Sequence, residues 1–212
     1  MLPLLLLAPI AARSANVLVC YHSITNYTHQ LAAAVAEGAL QPGVHVRLQS
    51  IARTDVESDM LQWADAIVIG SPVHYGNPSA AMLAWFERSW EPFWKDPRFE
   101  GKLGAVFATG GGLAQGIEHV VASLLRLLAS FRIQTITPAP TRSGYDSYGA
   151  IAVTATWPFN ASNLAIPFVQ AGQALGSLVA AAALQAQERS PGNWPRPQPS
   201  DSRYSASSRG PF

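Results

Sequence analysis

The sequence predicts a doubly wound α/β domain, in which helices cover both faces of a parallel five-stranded sheet. Three continuous apolar runs, NVLVCY at 16–21, ADAIVIGS at 64–71 and KLGAVFATG at 102–110, are typical of strands that are buried on both faces. Segments with helical spacing of apolar residues alternate with these strands. The chain of 212 residues shows no internal repeat and no linker within this pattern, which indicates one domain.

The other elements continue the alternation. VHVRLQS at 44–50 alternates like a half-buried strand, and RIQTITP at 132–138 is predicted as the last strand. Helices are predicted at 26–38, 79–90, 115–131 and 167–186. The single cysteine, Cys20, lies in the first apolar strand, so we interpret it as a core residue rather than a reactive thiol.

The two ends differ from the predicted core at 16–187. Residues 1–15, MLPLLLLAPIAARSA, form an apolar leader or signal-like segment. The alternatives are an organelle leader, a misread start codon and an apolar extension. Residues 188–212 are rich in Pro, Ser and Gly and are predicted to be a disordered tail.

Composition and motifs argue against several function classes. A net charge of +1 offers no basic surface for nucleic acid. The five histidines are dispersed, so neither a metal site nor a Ser/His/Asp arrangement is predicted. The chain also lacks the GxGxxG and GxxxxGK[ST] motifs of dinucleotide and P-loop folds.

Each of the three apolar strands ends in an unusual loop. The loops are YHSITNYT, GSPVHYGNPS and ATGGGLAQG, all rich in Gly, Ser, Thr or Asn. In a doubly wound sheet the ligand lies outside the carboxyl ends of the strands, where the strand order reverses. The sequence therefore predicts one binding site made by these three loops.

The first loop suits an anion. It enters a helix N-terminus, where free backbone N–H groups and the helix dipole attract negative charge. The hydroxyls of Ser23, Thr25 and Thr28 add donors, so a phosphate needs no lysine here. The alternative is that Thr25 or Asn26 merely caps the helix.

The second loop suits a planar ring. Pro72 restricts the backbone, Gly76 allows close backbone approach, and Tyr75 offers an aromatic face beside His74 and Asn77. The alternative is a tight connection between a strand and a helix that happens to carry a surface tyrosine.

Four stretches resemble, in order and spacing, the WrbA-type NAD(P)H:quinone oxidoreductases of the flavodoxin-like superfamily. They are VLVCYHSITNYTHQLAAAVAEGA from Val17, ADAIVIGSPVHYGNPSAAMLAWFE from Ala64, FWKDPRFEGKLGAVFATGGGLAQGIE from Phe93 and SYGAI from Ser147. The resemblance covers residues 16–151. It implies a flavodoxin-like fold, FMN as cofactor, NADH or NADPH as co-substrate, a quinone substrate and a homo-oligomer, either dimer or tetramer.

The resemblance also implies which residues form the site. The first loop would bind the FMN phosphate, the second would border the isoalloxazine ring, and the third would follow its pyrimidine side. The cofactor-binding candidates are Ser23, Ile24, Thr25, Asn26, Tyr27, Thr28, Pro72, His74, Tyr75, Gly76, Asn77, Thr109, Gly110, Gly111, Gly112, Leu113 and Ala114. Thr25, Tyr75 and Trp94 are the substrate candidates. In the family a tryptophan at the position of Trp94 lies at the active-site mouth and often comes from a neighbouring subunit, and the alternative is a packed surface tryptophan. No side chain is assigned a catalytic role, because the flavin carries the chemistry.

Three departures from the family pattern stand out. Asn26 replaces the usual glycine of the phosphate loop, and asparagine tolerates positive φ better than most residues. Ala114 stands where the family has histidine, and Ala129, Ser130 and Phe131 occupy a helix end that often carries another. The missing histidines put quinone turnover in question more than FMN binding.

The resemblance implies two-electron reduction of quinones by a ping-pong mechanism. A flavodoxin-like electron carrier and a degenerate interaction module without turnover are the alternatives. NYT at Asn26 and NAS at Asn160 are glycosylation patterns, and a glycan on Asn26 would block a phosphate. We therefore expect a cytoplasmic protein without stable membrane insertion, although the leader leaves secretory or organellar targeting open.

Overall fold

The computed structural model describes residues 14–52, 58–139, 148–154 and 163–189. Within these ranges the strands are β1 (Ala15–Tyr21), β2 (Val44–Ser50), β3 (Ala66–His74), β4 (Asn77–Pro78), β5 (Leu103–Gly110), β6 (Gln134–Thr135) and β7 (Ala150–Val153). The helices are α1 (Tyr27–Ala39), α2 (Ser58–Trp63), α3 (Ala80–Ser89), α4 (Ile117–Ser130) and α5 (Ile166–Arg189). Two short 3₁₀ turns, Glu91–Phe93 and Pro97–Phe99, follow α3.

The strands form one sheet in the order β2-β1-β3-β5, with β6 and β7 sharing the position beyond β5. β6 pairs with the start of β5 at Leu103 and Gly104, and β7 pairs with its last four residues. The two-residue β4 pairs with the end of β3 in the antiparallel direction. The doubly wound fold is confirmed. The prediction of five strands, all parallel, is corrected, because the described sheet has seven strands and one of them is antiparallel.

The helices cover the two faces of the sheet in the way that the apolar strands predict. Val17 and Val19 of β1 face α1 and α5, whereas Leu18 and Cys20 face the layer of α2, α3 and α4. Burial on both faces is the reason why these strands read as uninterrupted apolar runs. Cys20 is fully buried, as predicted, and burial raises the pKa of its thiol.

Glycines bring α1 and α5 unusually close together. A Cβ atom on Gly38 would lie 2.0 Å from the backbone oxygen of Gln173, and one on Gly176 would lie 1.9 Å from the backbone oxygen of Val35. No larger residue fits at either position without moving a helix. The backbone of α1, which follows the first loop, therefore packs directly against the backbone of α5.

Several boundaries differ from the sequence prediction. The last strand was expected at 132–138 but is reduced to β6, and α2, β4 and β7 were not predicted. α5 extends to Arg189, past the predicted end. Most of the leader and the tail from residue 190 lie outside the described residues, and so does Asn160.

α5 meets the length and hydropathy criteria of a membrane-spanning helix from Ile166 to Glu188. About half of this segment, 44% of its most apolar window, is buried inside the fold. A core helix in a layered domain meets the same criteria.

Candidate functional site

Three loops meet at the carboxyl edge of the sheet. They follow β1, β3 and β5, and β1 lies directly between β2 and β3. The chain runs outward from β1 to β2 and then crosses to β3 on the other side, so the strand order reverses between β1 and β3. This is the position at which doubly wound folds bind ligands.

The first loop presents a helix N-terminus without a side-chain cap. Asn26 precedes α1 with φ 72° and makes no capping hydrogen bond through its side chain. The explanation that Asn26 only caps the helix is therefore wrong, whereas its predicted tolerance of positive φ is confirmed. A helix start that its N-cap side chain does not cap is suited to receive an anion.

A buried hydrogen bond ties this helix to the third loop. The hydroxyl groups of Thr28 and Thr109 lie 2.7 Å apart, and both residues are almost fully buried. Thr109 is in β5, just before the glycine run. This bond fixes the first turn of α1 against the carboxyl end of β5.

The second loop is a tight hairpin between β3 and β4. His74 pairs with Asn77, and the two residues between them, Tyr75 and Gly76, have φ of 51° and 79°. Two consecutive positive φ values are typical of a type I′ turn, in which glycine is favoured. The side-chain amide of Asn77 donates to the backbone oxygen of Tyr75 at 3.0 Å. The Tyr75 side chain is fully exposed. This exposure agrees both with a ring that contacts a ligand and with a surface tyrosine.

The third loop lies against the second. Gly116 has φ 96°, and a Cβ atom there would be 2.6 Å from the Cα atom of Gly76. A Cβ atom on Gly76 itself would meet nothing within 4 Å, so Gly116 is the residue whose lack of a side chain lets the two loops pack together. Ala114 has φ 57°, and its N–H donates to the side chain of Glu118 at 3.3 Å. An alanine in this conformation costs about 1 kcal/mol.

The residues present fit a phosphate ester joined to a planar ring. Ser23 Oγ is buried and has no hydrogen-bond partner among the described residues, so it is a donor that an anion would satisfy. Ile24, Tyr75 and Leu113 expose large apolar side chains around the same three loops. Exposed apolar groups around a polar centre are typical of a ligand site.

Trp94 does not lie with the three loops. Its ring contacts Phe131 edge to face at 5.5 Å, and it is 49% exposed. Phe131 follows α4, and a few residues later the chain pairs with Leu103, the first residue of β5. Trp94 therefore lies at the amino edge of the sheet, opposite the loops. Its predicted place at the mouth of a site would therefore need a neighbouring subunit, and the helix end at Ala129 and Ser130 lies at the same amino edge.

His22 was not among the site residues predicted from the sequence. This residue follows β1 directly, is 8% exposed and packs its ring against that of His74, with centroids 6.1 Å apart. Burial and then the neighbouring His74 lower the pKa of His22. The signal available in the sequence was a histidine placed immediately before the hydroxyl-rich loop.

The doubly wound fold, with three loops meeting where the strand order reverses, is that of a flavodoxin-like protein. Residues 54–143 match the family model described as NADPH-dependent FMN reductase. An NAD(P)H dehydrogenase (quinone) from Archaeoglobus fulgidus is 31% identical over 162 residues, covering 64% of this chain and 84% of the relative. A flavodoxin from Aquifex aeolicus is 35% identical over 117 residues, covering 55% of this chain and 61% of the relative.

Solved structures agree on the fold. A WrbA-like flavodoxin structure from Agrobacterium tumefaciens has a TM-score of 0.64 at 24% identity and covers 81% of this chain and 99% of that one. A flavodoxin from the domain Archaea has a TM-score of 0.61 at 18% identity, covering 79% of this chain and 98% of the other. The Archaeoglobus relative shows that the chain belongs to the NAD(P)H dehydrogenase (quinone) family, and the solved structures show that its fold is flavodoxin-like.

Proposed function

We propose that this FMN-dependent oxidoreductase transfers two electrons from NAD(P)H to a quinone, with both substrates using one pocket in turn. The observation that carries the proposal is the place where the three loops meet at the carboxyl edge of the sheet. Ser23 and the N-terminus of α1 form its polar end, and Ile24, Tyr75 and Leu113 form its apolar rim. If both substrates use this one place, the first must leave before the second binds.

The overall reaction is NAD(P)H plus quinone plus one proton giving NAD(P)⁺ plus hydroquinone. FMN, when bound, would supply the chemistry that takes up the hydride and passes both electrons on. The chain itself would contribute binding and orientation. Ser23, Thr28 and the first N–H groups of α1 would hold the phosphate, while Tyr75 and Leu113 would shield the ring from water.

The phosphate assignment can be tested by charge reversal. Changing Ser23 and Thr28 together to Glu sets carboxylates against a phosphate dianion, so FMN binding should be lost. A matched control changes His45 near the start of β2 and Ser130 at the end of α4, both exposed and away from the loops, to Glu, which should leave FMN binding intact. An unchanged FMN affinity in the Ser23/Thr28 variant, measured by titration of the full chain, would refute the site.

The shared pocket can be tested by steady-state kinetics. FMN-loaded protein should give parallel lines in double-reciprocal plots of NAD(P)H and quinone. Intersecting lines would show that both substrates bind together and would contradict the proposal.

A second function is favoured by one observation. The Aquifex relative that is 35% identical carries the name flavodoxin, and the site would suit a carrier as well. A carrier docks to redox partners, usually through strong charge complementarity, and a net charge of +1 does not provide it. FMN-loaded protein that does not oxidise NAD(P)H would favour the carrier. Protein that remains free of flavin after FMN is added would favour the interaction module.

The position of Trp94 supports a homo-oligomer in which this residue serves another subunit. Trp94 is exposed at the edge of the sheet opposite its own loops. A second copy whose loops face this edge would gain the ring at its opening. Analytical ultracentrifugation of the full chain tests this point, and a stable monomer with full quinone turnover would contradict it.

We also propose a cytoplasmic location, where NAD(P)H is available. Asn26 is exposed in the first loop and begins the pattern NYT. A glycan there would compete with the phosphate for the loop. Mass spectrometry of native protein would overturn this proposal if it found Asn26 glycosylated.

A further inference from the structure

The end of β1 places one histidine at the boundary where the strand order reverses. The backbone N–H of His22 donates to the oxygen of Gly70 in β3 at 3.1 Å. The residue is 8% exposed, and its Nδ1 atom is buried without a hydrogen-bond partner among the described residues. Its backbone is thus held in the sheet, while one ring nitrogen lacks a partner.

The next residue, Ser23, also has a buried polar atom that lacks a hydrogen-bond partner among the described residues. This atom is Oγ, and no described residue bonds to it, so two adjacent side chains hold unsatisfied polar atoms. Buried polar atoms in folded proteins nearly always have partners, and each exception needs a cause. Both atoms belong to the loop that the anion site uses. A ligand that approaches this loop can satisfy both.

The three loops also lack a permanent positive charge. The segments 22–28, 72–77 and 109–116 contain no lysine and no arginine. A phosphate monoester carries a charge of about −1.5 to −2 at neutral pH. Within these segments, His22 and His74 are the side chains that can become positive.

We propose that His22 supplies this charge: it takes up a proton when the phosphate of FMN binds, and its Nδ1–H then donates to that phosphate. The inference rests on the proposed function, namely that FMN binds in the first loop. It adds a cofactor-contacting residue and a proton to the binding reaction.

The surroundings of His22 keep the ring neutral before the ligand arrives. Burial disfavours the imidazolium, and the ring of His74, from β3, opposes a second positive charge 6.1 Å away. His29 of α1 instead bonds to the hydroxyl of Tyr21, and Glu118 of α4 accepts from a backbone N–H. A phosphate dianion acts in the opposite direction and favours the charged ring. Binding and protonation are therefore linked.

The test is calorimetry of FMN binding to the full chain. Titrations at pH 7.5 in two buffers with different ionisation heats give the number of protons taken up per FMN. At about this pH the free phosphate is already a dianion, since its second pKa is about 6. We expect uptake approaching one proton. Between about pH 7 and 9 the affinity for FMN should fall by up to about tenfold per pH unit, the limit for one linked proton.

Two comparisons identify the group and the cause. His22→Gln keeps an amide donor but cannot become charged, so proton uptake should fall to nearly zero and the pH profile should flatten. His45→Gln removes an exposed histidine from β2 and should behave like the wild type. Riboflavin, which lacks the phosphate, should bind to the wild type without proton uptake.

The outcomes distinguish a failure of the role of His22 from a failure of the FMN site. FMN binding without proton uptake, uptake that persists in His22→Gln, or equal uptake with riboflavin would each overturn the role of His22 and leave the FMN site in place. The riboflavin comparison needs no variant, so a His22→Gln protein that fails to fold still leaves a decisive result. Absence of FMN binding to the wild type would overturn the proposed function and this inference with it.

Discussion

The hydrogen bond between Thr28 and Thr109 connects the phosphate loop to the centre of the sheet, and its strength can be worked out from burial. Thr28 is 2% exposed and Thr109 is 3% exposed, so water cannot replace either partner. Thr28→Val removes one hydroxyl with little change in shape and leaves Thr109 Oγ1 buried and unpaired. Such a group costs about 1–3 kcal/mol, and we expect this loss in the free energy of unfolding.

The double variant Thr28→Val with Thr109→Val has no unpaired hydroxyl in this position. Its loss of stability should therefore be smaller than the sum of the two single losses. The difference, a coupling free energy of about 0.5–3 kcal/mol, measures the contact itself. FMN affinity should also fall by about ten- to a hundredfold in Thr28→Val, since a hydrogen bond to a charged group contributes about 1.5–3 kcal/mol.

Urea unfolding of the flavin-free protein gives the four stabilities, and fluorescence titration gives the FMN affinities. Thr25→Val is the matched control, because Thr25 lies exposed in the same loop and should change stability by less than about 0.5 kcal/mol. Strictly additive losses for Thr28 and Thr109 would refute the reasoning, since they would show that the two hydroxyls do not depend on each other.

Three further predictions concern other parts of the chain. Gly116→Ala should destabilise the protein by about 1–3 kcal/mol and weaken FMN binding, because the φ of Gly116 is 96° and the new Cβ would lie 2.6 Å from the Cα atom of Gly76. Gly112→Ala is the control, because its new Cβ would meet only the flexible side chain of Gln115. Equal unfolding midpoints for the two variants would contradict this prediction. Burial lowers the pKa of Lys102 to about 8, below its usual 10.5, so the unfolded chain binds more protons between these values and stability should rise with pH across that window. Unfolding curves of Lys102→Met should lack this slope, and a slope equal to that of the wild type would show that another group causes it. Trp94→Ala should change the quinone KM more than the FMN affinity, and a change confined to FMN affinity would argue against its role at a neighbouring opening.

The parts of the fold that the sequence predicted are those that depend on local pattern. β1, β3 and β5 were predicted because burial on both faces leaves uninterrupted apolar runs. Their three loops were predicted as one site because parallel strands place their carboxyl ends together. The positive φ at Asn26 also follows from a local property of asparagine.

The features that were missed depend on contacts between distant residues. Thr28 and Thr109 are 81 positions apart, and neither has a neighbour in sequence that indicates the bond. β6 and β7 together fill one sheet position, but no continuous apolar run connects them. The role that the family resemblance implies for Trp94 depends on the edge of the sheet at which its ring lies. That edge is set by the contact of Trp94 with Phe131 at the end of α4, and the chain after α4 pairs with the start of β5.

The interrupted position beyond β5 has a consequence for self-association. An intact outer strand presents a row of free N–H and C=O groups on which another chain can pair and begin to aggregate. On this side of the described sheet, β6 offers two residues and β7 offers four. On the other side, β2 runs for seven residues, with His45 and Arg47 exposed along it. Unwanted edge-to-edge growth of the sheet would therefore start at β2, where solvated polar and charged side chains oppose it.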